Sequence, residues 1–430
     1  MTPTLQTAAR AAAAPPDVAQ FDGVDLRALA RAVGTPCHVY SAAAIRGRIG
    51  ELHDALRGLD ASVCFAVKAN PNLAILQLMA AAGVGADIVS AGELRRSLRA
   101  GIPAQRIVFS GVGKREDEID EALAAGIACF NLESRDELDG LQRLARGRNV
   151  VARAAVRINP DVDAHTHAKI STGKAEGKFG VGVSEARDWF ADRARFTHVR
   201  LDGLHVHIGS QIVDLEPLRI AFERVAAFRR ELVAAGHPIE SVDVGGGLGV
   251  RYRAGCDRPP GAADYVATIR SALAGHGGRI VLEPGRWLVA EAGVLLSRVI
   301  RIKRGDGRRI VVLDAAMNDL QRPSLYDAWH DIVPVLDEPR AAGACDVVGP
   351  VCESGDAFAR GREMPECAAG DLVMIATTGA YGMSMASTYN SRPLAAEVLV
   401  DEGRYAVVRR RQTFEEMTAG ETPATTWRIP

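Results

Sequence analysis

Between residues 62 and 283, short apolar runs alternate with helical patterns, and no other feature restricts the fold of this chain so strongly. The runs lie at 62–67, 85–89, 106–110, 127–131, 150–157, 199–206, 239–244 and 278–283. Helix-period segments at 73–82, 93–100, 116–125, 134–146, 215–235 and 262–274 separate most of them. Short apolar strands joined by helices predict a parallel sheet. Eight such strands close a (β/α)8 barrel, and the stretch approaches the ~250 residues usual for one. After Arg286 the pattern changes. Runs at 294–302, 310–313, 372–377, 395–400 and 405–408 are β-rich and separated by turns, which predicts an all-β domain, a barrel or sandwich. A short strand at 37–40 precedes the barrel and is expected to join that second domain. The expected division is a mobile tail at 1–22, a barrel at 43–286, and a β-domain built from 23–42 and 287–420.

The totals exclude several functional classes. The chain has 430 residues and a formal net charge of −1, with no basic block, so a nucleic-acid partner is not expected. No apolar run approaches the ~20 residues that span a bilayer. The first twenty residues are rich in Ala, Pro and Thr without an apolar core, unlike a secretory signal. Seven scattered cysteines include no C-x-x-C pair, which points away from a zinc site or a disulfide framework and towards a reducing cytoplasm.

In a barrel of this kind, chemistry collects at the C-terminal ends of the strands. Lys68 closes the first strand, in Phe65-Ala-Val-Lys-Ala-Asn70. The chain contains six lysines against 46 arginines, so a lysine retained here stands out. Burial lowers the pKa of an amine and favours its free form, which condenses with aldehydes such as that of pyridoxal phosphate. The plainer account is a strand-end lysine reaching to solvent. His205 and His207 end the sixth strand on one face. Gly245-Gly246-Gly247 follows the seventh, and Glu283-Pro-Gly285-Arg286 ends the eighth. Backbone N–H groups of the glycine run would wrap a phosphate, or the run is only a flexible turn. Arg286 would meet a phosphate or carboxylate in paired hydrogen bonds, or form a surface ion pair. Glu283 suits a protonated pyridine nitrogen, or a structural arginine. His207 would stack on a ring, or be an ordinary core histidine. With no third ligand evident for the two histidines, no metal is expected. In Cys352-Glu353-Ser-Gly-Asp356 a thiol stands beside acids as a proton donor, or is a buried apolar cysteine. Arg322-Pro-Ser-Leu-Tyr326 and Gly379-Ala-Tyr381-Gly382 add polar tips beside turns.

Taken together, these residues resemble the fold type III pyridoxal phosphate decarboxylases with an alanine racemase-like barrel, and most closely the diaminopimelate decarboxylases among them. The likeness runs from about residue 23 to 415. It also includes Ile158-Asn-Pro-Asp161, Ile170-Ser-Thr-Gly173 and Lys178-Phe-Gly180. The resemblance implies that Lys68 carries pyridoxal 5'-phosphate and that His207 lies against its ring. It implies that Ser210, Gly245, Gly246, Gly247, Gly285, Arg286 and Tyr381 hold the phosphate and that Glu283 pairs with the ring nitrogen. It further implies an obligate homodimer in which Cys352, a catalytic proton donor, and Glu353 enter the partner's site. Phe65 departs from the family, which more often has Tyr there. A distal amino-acid group on the substrate needs fixed positive charge. Arg286 and Arg322 would supply it and, with the Tyr326 hydroxyl, meet the carboxylate in paired hydrogen bonds; Tyr381 is also expected to touch the substrate, and Glu353 would take the distal ammonium. The implied reaction is decarboxylation of meso-2,6-diaminopimelate to L-lysine and CO2. Its alternatives are a same-fold decarboxylase of another amino acid (D- or carrier-bound), a racemase, and a non-catalytic cofactor-binding protein.

Overall fold

The computed structural model describes residues 19–164, 172–173, 178–305, 307–425 and 427–428. Most of the expected tail lies outside these residues, as do Ile170 and Ser171 of the Ile170–Gly173 motif. Eight parallel strands form a closed barrel. In chain order they are Ala61–Ala66, Gly85–Ile88, Ile107–Phe109, Cys129–Leu132, Ala152–Arg157, Val199–His205, Ser241–Asp243 and Arg279–Leu282. The last pairs with the first, Ile280 opposite Ala61, which closes the cylinder.

The helices around it begin where short polar side chains accept orphan backbone N–H groups. Asn72, Ser90 and Ser134 cap Leu73–Ala81, Ala91–Arg99 and Arg135–Gly147 in this way. Two helices do not stand out in the periodicity. Val183–Ala191 sits between the fifth and sixth strands. Ala42–Ala55 precedes the first strand and packs between Leu73–Ala81 and Ala262–Ala272. It takes the place of a helix after the eighth strand, where the chain makes only the short turn of helix Arg286–Val289. Ile45, Ile49 and Leu52 form its buried stripe.

Beyond the barrel, the 13-residue strand Gly293–Gly305 forms the spine of a nine-stranded assembly. It pairs antiparallel with Cys37–Ser41, Arg308–Leu313 and Leu372–Ile375. Cys37–Ser41 also pairs, in parallel, with Ala396–Asp401. Strands Ile332–Val335, Ala342–Val348 and Ala357–Pro365 also belong to this assembly, although the turn spacing does not reveal them. A segment of this unit bears on the barrel rim. Asn70 Nδ2 donates to the Gly379 carbonyl at 2.9 Å, and Tyr381 N–H donates to the Ala69 carbonyl at 2.8 Å.

Candidate active site

At the C-terminal rim of the barrel, a cavity of about 270 Å³ is lined by Lys68, His207, Ser210, Gly246, Gly247, Glu283, Gly285, Arg286, Tyr326 and Tyr381, among others. Seven or more chain segments meet there, so a residue set that is scattered along the sequence becomes one wall.

Lys68 does not end the strand itself. It sits in the 3-10 turn Val67–Ala69 just beyond, and its side chain keeps 40% of its surface, open to the cavity. The expectation of an uncharged amine is corrected here. Its Nζ lies 2.6 Å from Oδ2 of the fully buried Asp87. Burial pulls the ammonium down, but the Asp87 carboxylate, with help from Tyr381 and Glu283, outweighs it and holds the pKa above its ordinary value.

Glu283 is buried and is held by neutral donors and an imidazole, with no arginine against it among the described residues. Ser110 Oγ and Asn131 Nδ2 each lie 3.1 Å from its Oε1, and His205 Nε2 lies 3.2 Å from its Oε2. Burial disfavours its charge; His205 and Lys68 overcome that and keep it ionised. Asp243 behaves oppositely. Burial and the Glu283 charge push its pKa well above the carboxylate range, so the proton of this carboxyl pair rests on Asp243. The donor atoms of His205, Asp243 and Glu283 all lie within 4.8 Å of one another. The two histidines do not converge on one point, because His207 turns to the glycine loop. Its Nδ1 accepts from Gly246 N–H at 3.2 Å. Burial, with Arg157 beside it, lowers its pKa to about 3, so its ring is neutral.

The glycine run is needed for close backbone approach. A Cβ at Gly246 would stand 2.3 Å from the Glu283 carbonyl oxygen, and one at Gly247 would stand 2.6 Å from that of Gly209. Two N–H groups expected to face a phosphate are already engaged. Gly246 donates to His207, and Gly245 donates to Asp243 Oδ1 at 2.9 Å. Gly245 is also not part of the cavity wall as Gly246 and Gly247 are. Arg286 is buried, not a surface group. Its Nε and Nη2 reach Ser210 Oγ at 3.3 and 3.1 Å, and its Nη1 donates to the Tyr252 hydroxyl at 2.6 Å. Its guanidinium lies 4.7 Å from the ring centre of Tyr381, whose backbone is left-handed at φ 56°.

Besides Gly245, three expected residues stand apart from the cavity wall. Arg322, on the short helix Arg322–Tyr326, lies against Tyr252 with its guanidinium 4.3 Å from the ring centre. Cys352 and Glu353 sit in an exposed loop of the β-unit, where Cys352 N–H donates to Asn390 Oδ1 at 2.9 Å. The same chain does not bring them to its own pocket.

The arrangement offers a lysine nitrogen, a buried ionised carboxylate and a cationic, anion-binding pole at Arg286 and Ser210 in one enclosure. That is the donor set a pyridoxal phosphate molecule requires at its aldehyde, ring nitrogen and phosphate. Residues 42–290 match the family model described as pyridoxal-dependent decarboxylase, pyridoxal binding domain. The chain is 49% identical to the diaminopimelate decarboxylase of Zymomonas mobilis, over 93% of this chain and 96% of that one. It is 48% identical to that of Pseudomonas aeruginosa, with the same coverage. The solved structure of diaminopimelate decarboxylase from Helicobacter pylori in complex with L-lysine superimposes with a TM-score of 0.89. It has 42% identity and covers 92% of this chain and 98% of that one.

Proposed function

The chain belongs to the diaminopimelate decarboxylase family, and from that premise we infer that it removes CO2 from meso-2,6-diaminopimelate to leave L-lysine, the last step of lysine biosynthesis. The observation that carries this reading is the single cavity shared by Lys68, ionised Glu283 and the Arg286–Ser210 pair. The donor set fits pyridoxal 5'-phosphate. Lys68 would hold its aldehyde carbon, Glu283 its ring nitrogen, and His207 one ring face. Ser210, Arg286, Tyr381 and the backbone of Gly247 and Gly285 would hold its phosphate. When bound, the cofactor supplies a sink for the electron pair left at Cα as CO2 departs.

The chain's own groups set the conditions for that loss. Asp87 stands ready to keep the proton that Lys68 gives up. His205, Ser110 and Asn131 hold Glu283 ionised, and so able to keep a partner nitrogen protonated. Arg322 and Tyr326 meet the substrate's distal carboxylate. Cys352 of a second copy returns a proton to Cα, and its Glu353 takes the distal ammonium, so a homodimer with shared sites is part of this reading. So are a barrel unit at 43–286, a β-unit made of 23–42 with 287–420, and a cytoplasmic location. Among the described residues, no helix is long and apolar enough to cross a membrane.

The test is direct. The purified protein loaded with pyridoxal phosphate should absorb in the visible and release CO2 from meso-diaminopimelate. The Lys68→Ala variant should lose both, and turnover retained by that variant would refute the assignment.

A further inference from the structure

On the same Tyr252 ring as Arg286, Arg322 is a buried cation held without an acid. It is 4% exposed, and among the described residues neither it nor Arg286 forms an ion pair with a carboxylate; their partners are His330, Ser210, Tyr252 and Tyr381. Its Nη1 donates to His330 Nε2 at 2.9 Å, the face of Tyr252 covers its guanidinium, and its Nε has no hydrogen-bond partner. The tautomer of His330 follows from its other contact. Its Nδ1 lies 2.8 Å from the Ala376 carbonyl, which can only accept, so Nδ1 carries the proton and Nε2 offers its lone pair to Arg322. The imidazole is itself fixed. Tyr252 meets it edge-on with ring centres 5.0 Å apart, and Arg362 donates to the His330 carbonyl at 2.9 Å. The Tyr252 hydroxyl at the same time accepts from Arg286. A carboxylate at position 330 would have satisfied Arg322 and cancelled its charge. An imidazole lone pair and an aromatic face orient the guanidinium and leave the charge uncompensated.

We propose that His330 and Tyr252 are positioning residues that determine specificity, holding Arg322 beside the wall formed by Tyr326 and Tyr381 with its charge free for the carboxylate that the reaction leaves in place. This rests on the decarboxylase reading above. L-Lysine retains that carboxylate, whereas cadaverine, the same skeleton without it, has nothing for Arg322 to bind.

The experiment is calorimetric binding of L-lysine and of cadaverine to the cofactor-loaded protein, wild type and His330 variants. His330→Ala should weaken L-lysine about tenfold and cadaverine by less than about twofold, the loss expected for one misplaced charge-assisted contact. His330→Asn offers Arg322 a side-chain oxygen and should recover most of the affinity. His330→Asp neutralises Arg322 and should weaken L-lysine the most while sparing cadaverine. In turnover, the loss should fall on KM for meso-diaminopimelate with kcat held within about twofold, as for an interaction made equally in ground and transition states. Equal losses for both ligands, or undiminished L-lysine binding in the Ala and Asp variants, would overturn the proposal. Should the Ala variant not fold, the Asn and Asp pair carries the comparison. A wild-type protein that binds L-lysine but releases no CO2 would sink the decarboxylase reading and leave the His330 comparison intact.

Discussion

In the role proposed for it, Lys68 holds a proton that it has to give up before its nitrogen can attack an aldehyde. Two opposed influences set how tightly. Burial drives the proton off, while Asp87 at 2.6 Å retains it and wins. Replacing Asp87 by Asn leaves burial unopposed at that contact. The pH profile for uptake of pyridoxal phosphate by the apoprotein, followed by visible absorbance, should then move to lower pH by about one unit or more. An unmoved profile would remove Asp87 from this role. His207 and His330 act in the other direction. Both are lowered from 6.5 to about 3, chiefly by burial. The unfolded chain therefore binds protons between those values that the folded chain refuses, so stability is full above pH 6.5 and is lost as pH falls towards 3. Melting temperature followed from pH 7 to 4 should fall less steeply in His330→Gln than in the wild type. At this scale the sequence is informative wherever an odd residue ends an apolar run, as Lys68, His207, Glu283 and Arg286 do. It is silent on their supports. Ser110, Asn131, Tyr252 and His330 acquire meaning only when the barrel closes. Asp87 alone carried a readable sign, since an acid inside Ala86-Asp87-Ile88 is costly in a strand unless something pairs with it.

Among the elements, the glycine loop and the helix Ala42–Ala55 show how space decides the effect of one methyl group. At Gly246 a Cβ has a carbonyl oxygen 2.3 Å away, and the end of the eighth strand has to move to admit it. Gly246→Ala should cost about 1–3 kcal/mol of stability and weaken cofactor binding, read by denaturant melts and by absorbance titration. Gly47 and Gly50 lie in a helix where an added Cβ would meet nothing within 4 Å. Changing either to Ala should stabilise by ~0.5–1 kcal/mol. Those two glycines also explain why the helix escapes a reading by periodicity, although its buried stripe is regular. Strand–helix alternation was legible because every barrel strand is buried and short. The β-unit was less so, because Ala342–Val348 breaks its apolar pattern with a glycine, exposed alanines and Asp346, and Ala357–Pro365 is interrupted by Arg360, Gly361, Arg362 and Glu363 in a row.

For the molecule as a whole, the exposed place of Cys352 and Glu353, outside the cavity of their own chain, makes the shared-site reading testable by mixing. Lys68→Ala and Cys352→Ala, each inactive alone, should recover up to about a quarter of wild-type turnover once subunits exchange, because random pairing builds one intact site in half of the dimers. No recovery after verified exchange would leave each chain with a site of its own. The position of Cys37–Ser41 also bears on how the chain reaches its native state. Synthesis delivers this strand before any part of the barrel, yet Cys37 lies opposite Leu296 on one side and Ala396 on the other. On a ribosome its first edge stays open until Gly293–Gly305 has been made, and its second until Ala396–Asp401 has. The cylinder has every strand it needs long before then. Nascent chains halted short of Ala396 should therefore carry a protease-resistant cylinder beside a strand at 37–41 that is still cleavable, and only synthesis past Asp401 closes its second edge.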